Sequence, residues 1–395
     1  MKEIYKKGGI ILIDAQNTKY VIGEPKSVKP TTLKLLKKNL NWKLILDPEF
    51  EFPEAYMRGE IVIENSSLHD FLMEFVQNLG RKEVTLLSKI VKNLFGLWRY
   101  MTNFNTISKS KKDISHHYDL GGKKGEKLYD IMLDKKLRQY SMAYWKEGTK
   151  TLEEAQQNKI DHIVKKLDIK QGNKILEVGC GWGGMAFEIA KQKGCEVTGI
   201  SLSKNQIEYC KRKAKELNLD NQVKFELIDY REAKGKYDRI FSVGMFEHVG
   251  RKFYNTFFKS MNKLLKDDGI FLLHTIGVVD KPTAPNKFIQ KYIFPGGICP
   301  SFSQIINPIE KTGLIVADTE TLIRHYDKTL ENWLERFLER KKEVKDLFDE
   351  KFVKMWEFYM ASCAAAFRYR DLVVFQLQIV KNFQSAHRTR DYIYS

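Results

Sequence analysis

The amino-acid sequence predicts an α/β protein whose larger part is a doubly wound, mainly parallel sheet, with a small α/β unit before it and helical elements after it. Three observations carry this. From Lys174 onward strand and helix signals alternate, as they do in βαβ units that cover both faces of a parallel sheet. The first of these strands runs into Gly179-Cys180-Gly181-Trp182-Gly183-Gly184, a string suited to a tight strand-to-helix turn. The chain has 395 residues, 43% of them hydrophobic and 30% charged, enough apolar mass for two folded domains and too much for a disordered chain.

Taken in order, residues 1–96 mix β-like pieces at Ile10–Ile13 and Ile61–Ile63 with helical periodicity at Thr31–Leu40 and Leu68–Leu79, and read as one small unit. Between Arg81 and Lys112 eight basic residues (Arg81, Lys82, Lys89, Lys92, Arg99, Lys109, Lys111, Lys112) stand against one acid, Glu83. A solvated helix face explains such a run. The interleaved Leu94, Phe95, Leu97, Trp98 and Tyr100 also suit a membrane interface. Residues 97–112 read as a basic linker and 113–395 as the second domain. Its strands are expected at Lys174–Val178, Glu196–Ile200, Val223–Ile228, Tyr237–Val243 and Ile270–Ile276, and helices at Met185–Lys193, Lys204–Leu217 and Phe253–Leu265. Beyond about Asp327 amphipathic helix dominates, and the Ala-, Phe- and Val-rich stretch Phe358–Phe383 reads as a packing helix.

Lys plus Arg number 67 against 50 Asp plus Glu, a formal charge of +17 that points to an anionic partner, either nucleic acid or a phospholipid surface. The N-terminus is charged (Lys2, Lys6, Lys7), and Ile10–Ile13 is too short for a signal-peptide core. No run approaches about 18 apolar residues, so membrane contact is expected to be peripheral. The cysteines Cys180, Cys195, Cys210, Cys299 and Cys363 are odd in number and form no C-x-x-C pair, which argues against a disulfide framework and a zinc site and favours a reducing cytoplasm.

In the string beginning Glu177-Val178-Gly179, glycines let the backbone turn sharply and approach a ligand closely. The acid Glu177 before the glycines favours a nucleoside with a methionine-like tail over a dinucleotide, whose pyrophosphate wants a carboxylate-free helix N-terminus. A dinucleotide site also expects an acid at the end of the second strand, where this chain has Ser201. After the fourth strand comes Gly244-Met245-Phe246-Glu247-His248-Val249-Gly250, and His274-Thr275-Ile276 closes the fifth. Both fall at strand carboxyl ends, where open α/β sheets gather their active-site groups. Glu247 and His274 could share a proton or hold an anion, whereas His248, between Phe246 and Val249, reads as a packed residue.

These residues carry a resemblance. Gln139-Tyr140-Ser141-Met142-Ala143-Tyr144-Trp145, the Glu-Val-Gly-Cys-Gly-Trp-Gly-Gly loop, Leu202-Ser203-Lys204-Asn205-Gln206, Phe246-Glu247-His248 and Phe294-Pro295-Gly296-Gly297 together resemble the cyclopropane-fatty-acyl-phospholipid synthase family. Glu54-Ala55-Tyr56-Met57-Arg58-Gly59-Glu60 extends the likeness into the N-terminal segment, as in the family's bacterial phospholipid-modifying branch. The resemblance implies a Rossmann-like class I methyltransferase domain that uses S-adenosylmethionine to close a cyclopropane ring on the cis double bond of an acyl chain. An alkene is a weak nucleophile, so the reaction needs an activated sulfonium and a site that keeps water from the carbocation.

In that family the proton on the new methyl group goes to a bound bicarbonate. Carried onto this chain, the resemblance implies Glu247, His274, Tyr326 and the Ile276 amide as its holders, with Met142 where the family has cysteine. A thioether cannot donate a hydrogen bond as a thiol weakly can. The departure therefore raises a methyl-branched product, or loss of catalysis in a lipid-binding protein, as alternatives. For the cofactor the resemblance implies Tyr140 and Ser141 over the methionine end, Gly179 and Gly181 lining it, Ser201, Leu202 and Gln206 near the ribose, and Tyr230 and Arg231 at the adenine. Tyr118, Phe294, Gly296 and Gly297 would line the acyl channel. Residues 1–96 become a lipid-binding or dimerisation domain, 113–395 the catalytic one, and the chain a homodimer at the inner face of the membrane. A methyltransferase acting on RNA is the rival the charge allows, but no separate nucleic-acid module is present, so no nucleic-acid partner is expected.

Overall fold

The computed structural model describes residues 5–81, 122–280 and 285–394. The expected basic run beyond Arg81, the linker and Tyr118 lie outside the described residues. Two compact units draw on interleaved stretches of chain. One takes its described residues from Met1–Asn103, Thr283–Ile293 and Leu330–Leu372, the other from Phe104–Pro282, Phe294–Thr329 and Val373–Ser395.

The first unit holds a four-stranded sheet of β1 (Gly9–Ile13), β2 (Lys19–Gly23), β3 (Thr32–Leu35) and β4 (Ile61–Glu64), in the order β2-β1-β3-β4. The Asp14 carboxylate accepts the backbone N–H groups of Gln16 and Thr18 and so shapes the β1–β2 turn. Helical periodicity over Thr31–Leu40 is overturned here. Thr32–Leu35 is a strand, paired parallel to β1 and antiparallel to β4, and helix begins only at Leu40–Leu46. Leu33 and Leu35 are both buried, at the two-residue spacing of a strand flanked on both sides. The helix Leu68–Leu79 forms as expected, capped by Ser67, whose hydroxyl accepts the Asp70 N–H. It packs on the helix Glu350–Tyr369, with Phe52 stacked on Phe71 and tilted against Phe358.

The second unit is built on a seven-stranded sheet: β5 (Lys174–Val178), β6 (Glu196–Ser201), β7 (Val223–Leu227), β8 (Tyr237–Val243), β9 (Leu265–Val278), β10 (Ile315–Leu322) and β11 (Leu372–Val380), in the order β10-β11-β9-β8-β5-β6-β7. Strands β9, β8, β5, β6 and β7 run parallel and β10–β11 antiparallel, so the doubly wound, mainly parallel class holds. Each expected parallel strand is present, β9 longer than read. The helix expected across Phe358–Phe383 is a helix only to Tyr369, and Leu372–Val380 is strand β11. Its residues from Val373 on are all buried, Gln376 and Gln378 included, so the strand has no exposed face, and only the short alternation Phe375-Gln376-Leu377-Gln378-Ile379 marks its two-residue period.

Side-chain alternation sorts the strands into two cores. Ile175, Ile270 and Leu272 join the cluster that includes Ile160, Ile189 and Ile207, while Leu176, Phe271 and Leu273 join that of Phe257, Met261 and Ile305. From β5 the order runs to β6 on one side and to β8 on the other. A crevice opens at such a reversal, outside the strands' carboxyl ends.

Candidate active site

The loop after β5 shows why its glycines are required. Gly179 has φ +89°, and a Cβ there would lie 2.7 Å from Cβ of Met245. A Cβ on Gly184 would lie 1.8 Å from the carbonyl oxygen of Leu137. The segment before Ser141 therefore rests directly on the start of the helix Gly184–Lys193. Asp134 fixes that segment by accepting the N–H groups of Leu137, Arg138 and Gln139 at 2.7, 2.9 and 2.8 Å.

One cavity brings together nine of the ten expected cofactor residues: Tyr140, Ser141, Glu177, Gly179, Gly181, Ser201, Leu202, Gln206 and Tyr230. The Ser201 hydroxyl donates to Gln206 Oε1 at 2.9 Å and accepts the Ser203 N–H at 3.2 Å. Arg231 is the exception, outside the lining: its guanidinium forks onto the carboxylate of Asp229, Nε at 2.6 Å and Nη2 at 2.7 Å. Asp229 itself lines the cavity. Burial pushes the Glu177 carboxyl well above its ordinary range, opposed by the charge of Lys159 and the Ala186 N–H. Its Oε2 has no hydrogen-bond partner among the described residues.

Of the second expected group, Glu247, His274 and Ile276 come together beyond β8 and β9. Val243 lies beside His274 in register, and the Gly244 N–H donates to the His274 carbonyl. Glu247 is buried; its Oε1 accepts the Ile276 N–H at 2.6 Å, and its Oε2 is unpartnered among the described residues. Burial raises its pKa to about 7, against the lowering pull of its own and the Ile276 N–H groups. Burial drives His274 well below its ordinary pKa, so the ring is neutral. Gln376 of β11 sits 2.9 Å from His274 Nδ1. When its amide donates, the ring's remaining proton is on Nε2. His248 lines the cofactor cavity, with burial lowering its pKa to about 4 and its ring edge-on to Phe294 at 5.6 Å. The turn Phe294–Gly297, closed by the Gly297 N–H to the Phe294 carbonyl, is tied to Glu247 where the Ile298 N–H meets the Glu247 carbonyl at 2.8 Å.

Met142 is fully buried in a segment laced to the start of the helix Tyr326–Glu339. The Ala143 N–H donates to Thr329 Oγ1 at 3.1 Å and the Trp145 N–H to His325 Nδ1 at 3.0 Å. The segments carrying Met142 and Tyr326 are thereby joined, though their residues lie nearly two hundred positions apart.

Two polar residues were not foreseen. Lys159, wholly buried, donates to Gln139 Oε1 at 2.8 Å and Ser141 Oγ at 2.7 Å. The signal was present: Gln156 and Lys159 share the buried face of the helix Leu152–Lys166 with Leu152, Ala155, Ile160 and Ile163, where an apolar stripe is expected. Gln376 likewise interrupts an apolar run, between Phe375 and Leu377 of β11.

Residues 105–377 match the model of the family described as mycolic acid cyclopropane synthetase. The cyclopropane-fatty-acyl-phospholipid synthase of Escherichia coli strain K12 is 40% identical over 287 residues, 72% of each chain. A probable fatty acid methyltransferase of Pseudomonas putida is 35% identical over 281 residues, 69% of this chain and 70% of its own. Among solved structures, mycolic acid cyclopropane synthase CmaA1 complexed with SAH and CTAB superposes with a TM-score of 0.64 at 31% identity, over 68% of this chain and 97% of that one. A class I methyltransferase sheet, a glycine-walled cavity at its reversal point and a match across most of the chain agree: this protein belongs to the mycolic acid cyclopropane synthetase family and is an S-adenosylmethionine-dependent methyltransferase.

Proposed function

We propose that this protein transfers a methylene unit from S-adenosylmethionine to the cis double bond of an unsaturated phospholipid acyl chain, forming a cyclopropane. The observation that carries the reading is Glu247, between the cavity-lining Met245 and His248, with one unpartnered buried oxygen and the other held by the Ile276 N–H, two residues beyond the neutral His274. S-adenosylmethionine supplies an activated methyl group when bound. Tyr140, Ser141, Gly179 and Gly181 take its methionine end, and Ser201, Leu202, Gln206 and Tyr230 its nucleoside. The carbocation then formed on the acyl chain must lose a proton before water reaches it.

The donor chemistry near Glu247 fits a small anion such as bicarbonate, which would supply the base for that proton. His274 can donate from Nε2, and Glu247, with its pKa raised to about 7, can donate from Oε2 when protonated. Tyr326 and position 142 complete this holding group. The Ile276 amide, already donating to Glu247, acts through that carboxyl's orientation. Phe294, Gly296 and Gly297 border the acyl chain. Met142, fully buried and unable to donate a hydrogen bond, supports a second reading in which a methyl-branched chain leaves the site.

Docking on the inner face of the membrane belongs to the same reading, and the first unit supports it. On the helix Leu40–Leu46, Trp42, Ile45 and Leu46 stand on one face and are 73%, 42% and 48% exposed, next to exposed Leu36, Lys37 and Lys38. That unit is also where a homodimer contact is expected. The test is incubation with S-adenosylmethionine and vesicles of unsaturated anionic phospholipid, with mass spectrometry of the acyl products. A gain of one CH2 as a ring supports the synthase, a gain of one CH2 as a methyl branch supports the second reading, and no methyl in lipid overturns both. Trp42→Ser with Ile45→Ser should lower co-sedimentation with those vesicles several-fold.

A further inference from the structure

The chemistry assigned above makes no use of Lys159, a fully buried lysine beneath the cofactor cavity. Its ammonium bridges Gln139 Oε1 at 2.8 Å and Ser141 Oγ at 2.7 Å, and Gln156 Nε2 holds the Ser141 carbonyl at 3.0 Å. Gln139 and Ser141 both line the cavity. Asp134 cradles the backbone of the same segment at Leu137, Arg138 and Gln139, so the stretch leading to Ser141 is itself fixed.

We infer that Lys159 is a positioning residue for cofactor binding: by donating to Ser141 Oγ it commits the serine's own proton to the cavity, where an anionic tail is to be received. A hydroxyl has one proton and two lone pairs. With the ammonium on a lone pair, the proton is free to point at a carboxylate. A neutral amine at the same place keeps two N–H donors but gains a lone pair that can accept the serine's proton, so the hydroxyl is no longer committed to the anion. Charged donors make the stronger hydrogen bonds, so the bias is firm while Lys159 is protonated. Burial lowers its pKa to about 7, against the raising pull of Asp134 and Glu177. The third titratable group facing it, His274, is neutral. This inference rests on the reading that the cavity takes S-adenosylmethionine at Ser141.

The test is a double-mutant cycle on the full chain, with S-adenosylhomocysteine binding measured by calorimetry. Lys159→Met and Ser141→Ala should each weaken binding about tenfold, and the double variant should be no weaker than Ser141→Ala alone. In turnover, Lys159→Met should raise KM for S-adenosylmethionine far more than it lowers kcat. Unchanged affinity in Lys159→Met, or losses that multiply to about a hundredfold in the double variant, would overturn the proposal. Where Lys159→Met does not fold, the pH dependence of binding decides. Wild-type affinity should fall from about pH 6 to 8.5 as the amine loses its charge, and Ser141→Ala should lack that slope. A slope that persists in Ser141→Ala does not run through the serine hydroxyl and refutes the role. If the wild type binds no S-adenosylhomocysteine at all, the underlying reading of the cavity fails instead.

Discussion

Replacing Glu247 by glutamine should stabilise the protein at alkaline pH while stopping catalysis. The carboxyl is buried, with only Oε1 satisfied, by the Ile276 N–H at 2.6 Å. Its pKa is about 7 in the fold against an ordinary 4.5. Below about pH 4.5 it is protonated in both the folded and the unfolded chain and contributes no difference. As pH rises from there to 7 the unfolded chain ionises first, so the folded state binds more protons and loses stability. Above 7 the loss is complete, and 2.5 units at about 1.4 kcal/mol each give about 3.5 kcal/mol. Glutamine keeps the acceptor for Ile276 and is neutral throughout, so it escapes this cost. Urea unfolding of wild type and Glu247→Gln should show nearly equal stabilities near pH 4 and a gap approaching about 3.5 kcal/mol in favour of the variant near pH 8. Turnover of the variant should collapse while S-adenosylhomocysteine affinity changes less than threefold. A stability gap independent of pH, or equal losses in turnover and affinity, would refute the reasoning.

Two further outcomes test the site's construction. Gly184→Ala drives a Cβ to 1.8 Å from the Leu137 carbonyl, whereas Gly181→Ala meets only the strain of φ +50° in open space. Thermal melting should show the first losing several kcal/mol and the second about 1 kcal/mol. Gln376→Leu removes the partner of His274 Nδ1. It should cut turnover about tenfold and leave S-adenosylhomocysteine affinity unchanged by calorimetry, because the imidazole loses its orientation and the nucleoside site does not.

The amino-acid sequence by itself determined the parallel strands and the cofactor loop. Their information is local: a strand period, a glycine string and a helix cap all act within a few residues. Many residues lining the cavity cluster at strand ends, whereas Tyr140 and Ser141 come from the segment before the helix Leu152–Lys166 and were expected from the family resemblance. Tertiary structure alone decided the rest. Thr32–Leu35 is a strand because β1 and β4 flank it, and Leu372–Val380 is one because β9 and β10 do. Lys159 gains its place from partners 20 and 18 positions away, and Gln376 from a histidine 102 positions away. A buried polar side chain is tolerable only where its hydrogen bonds are met, and no local pattern records where those partners come to lie.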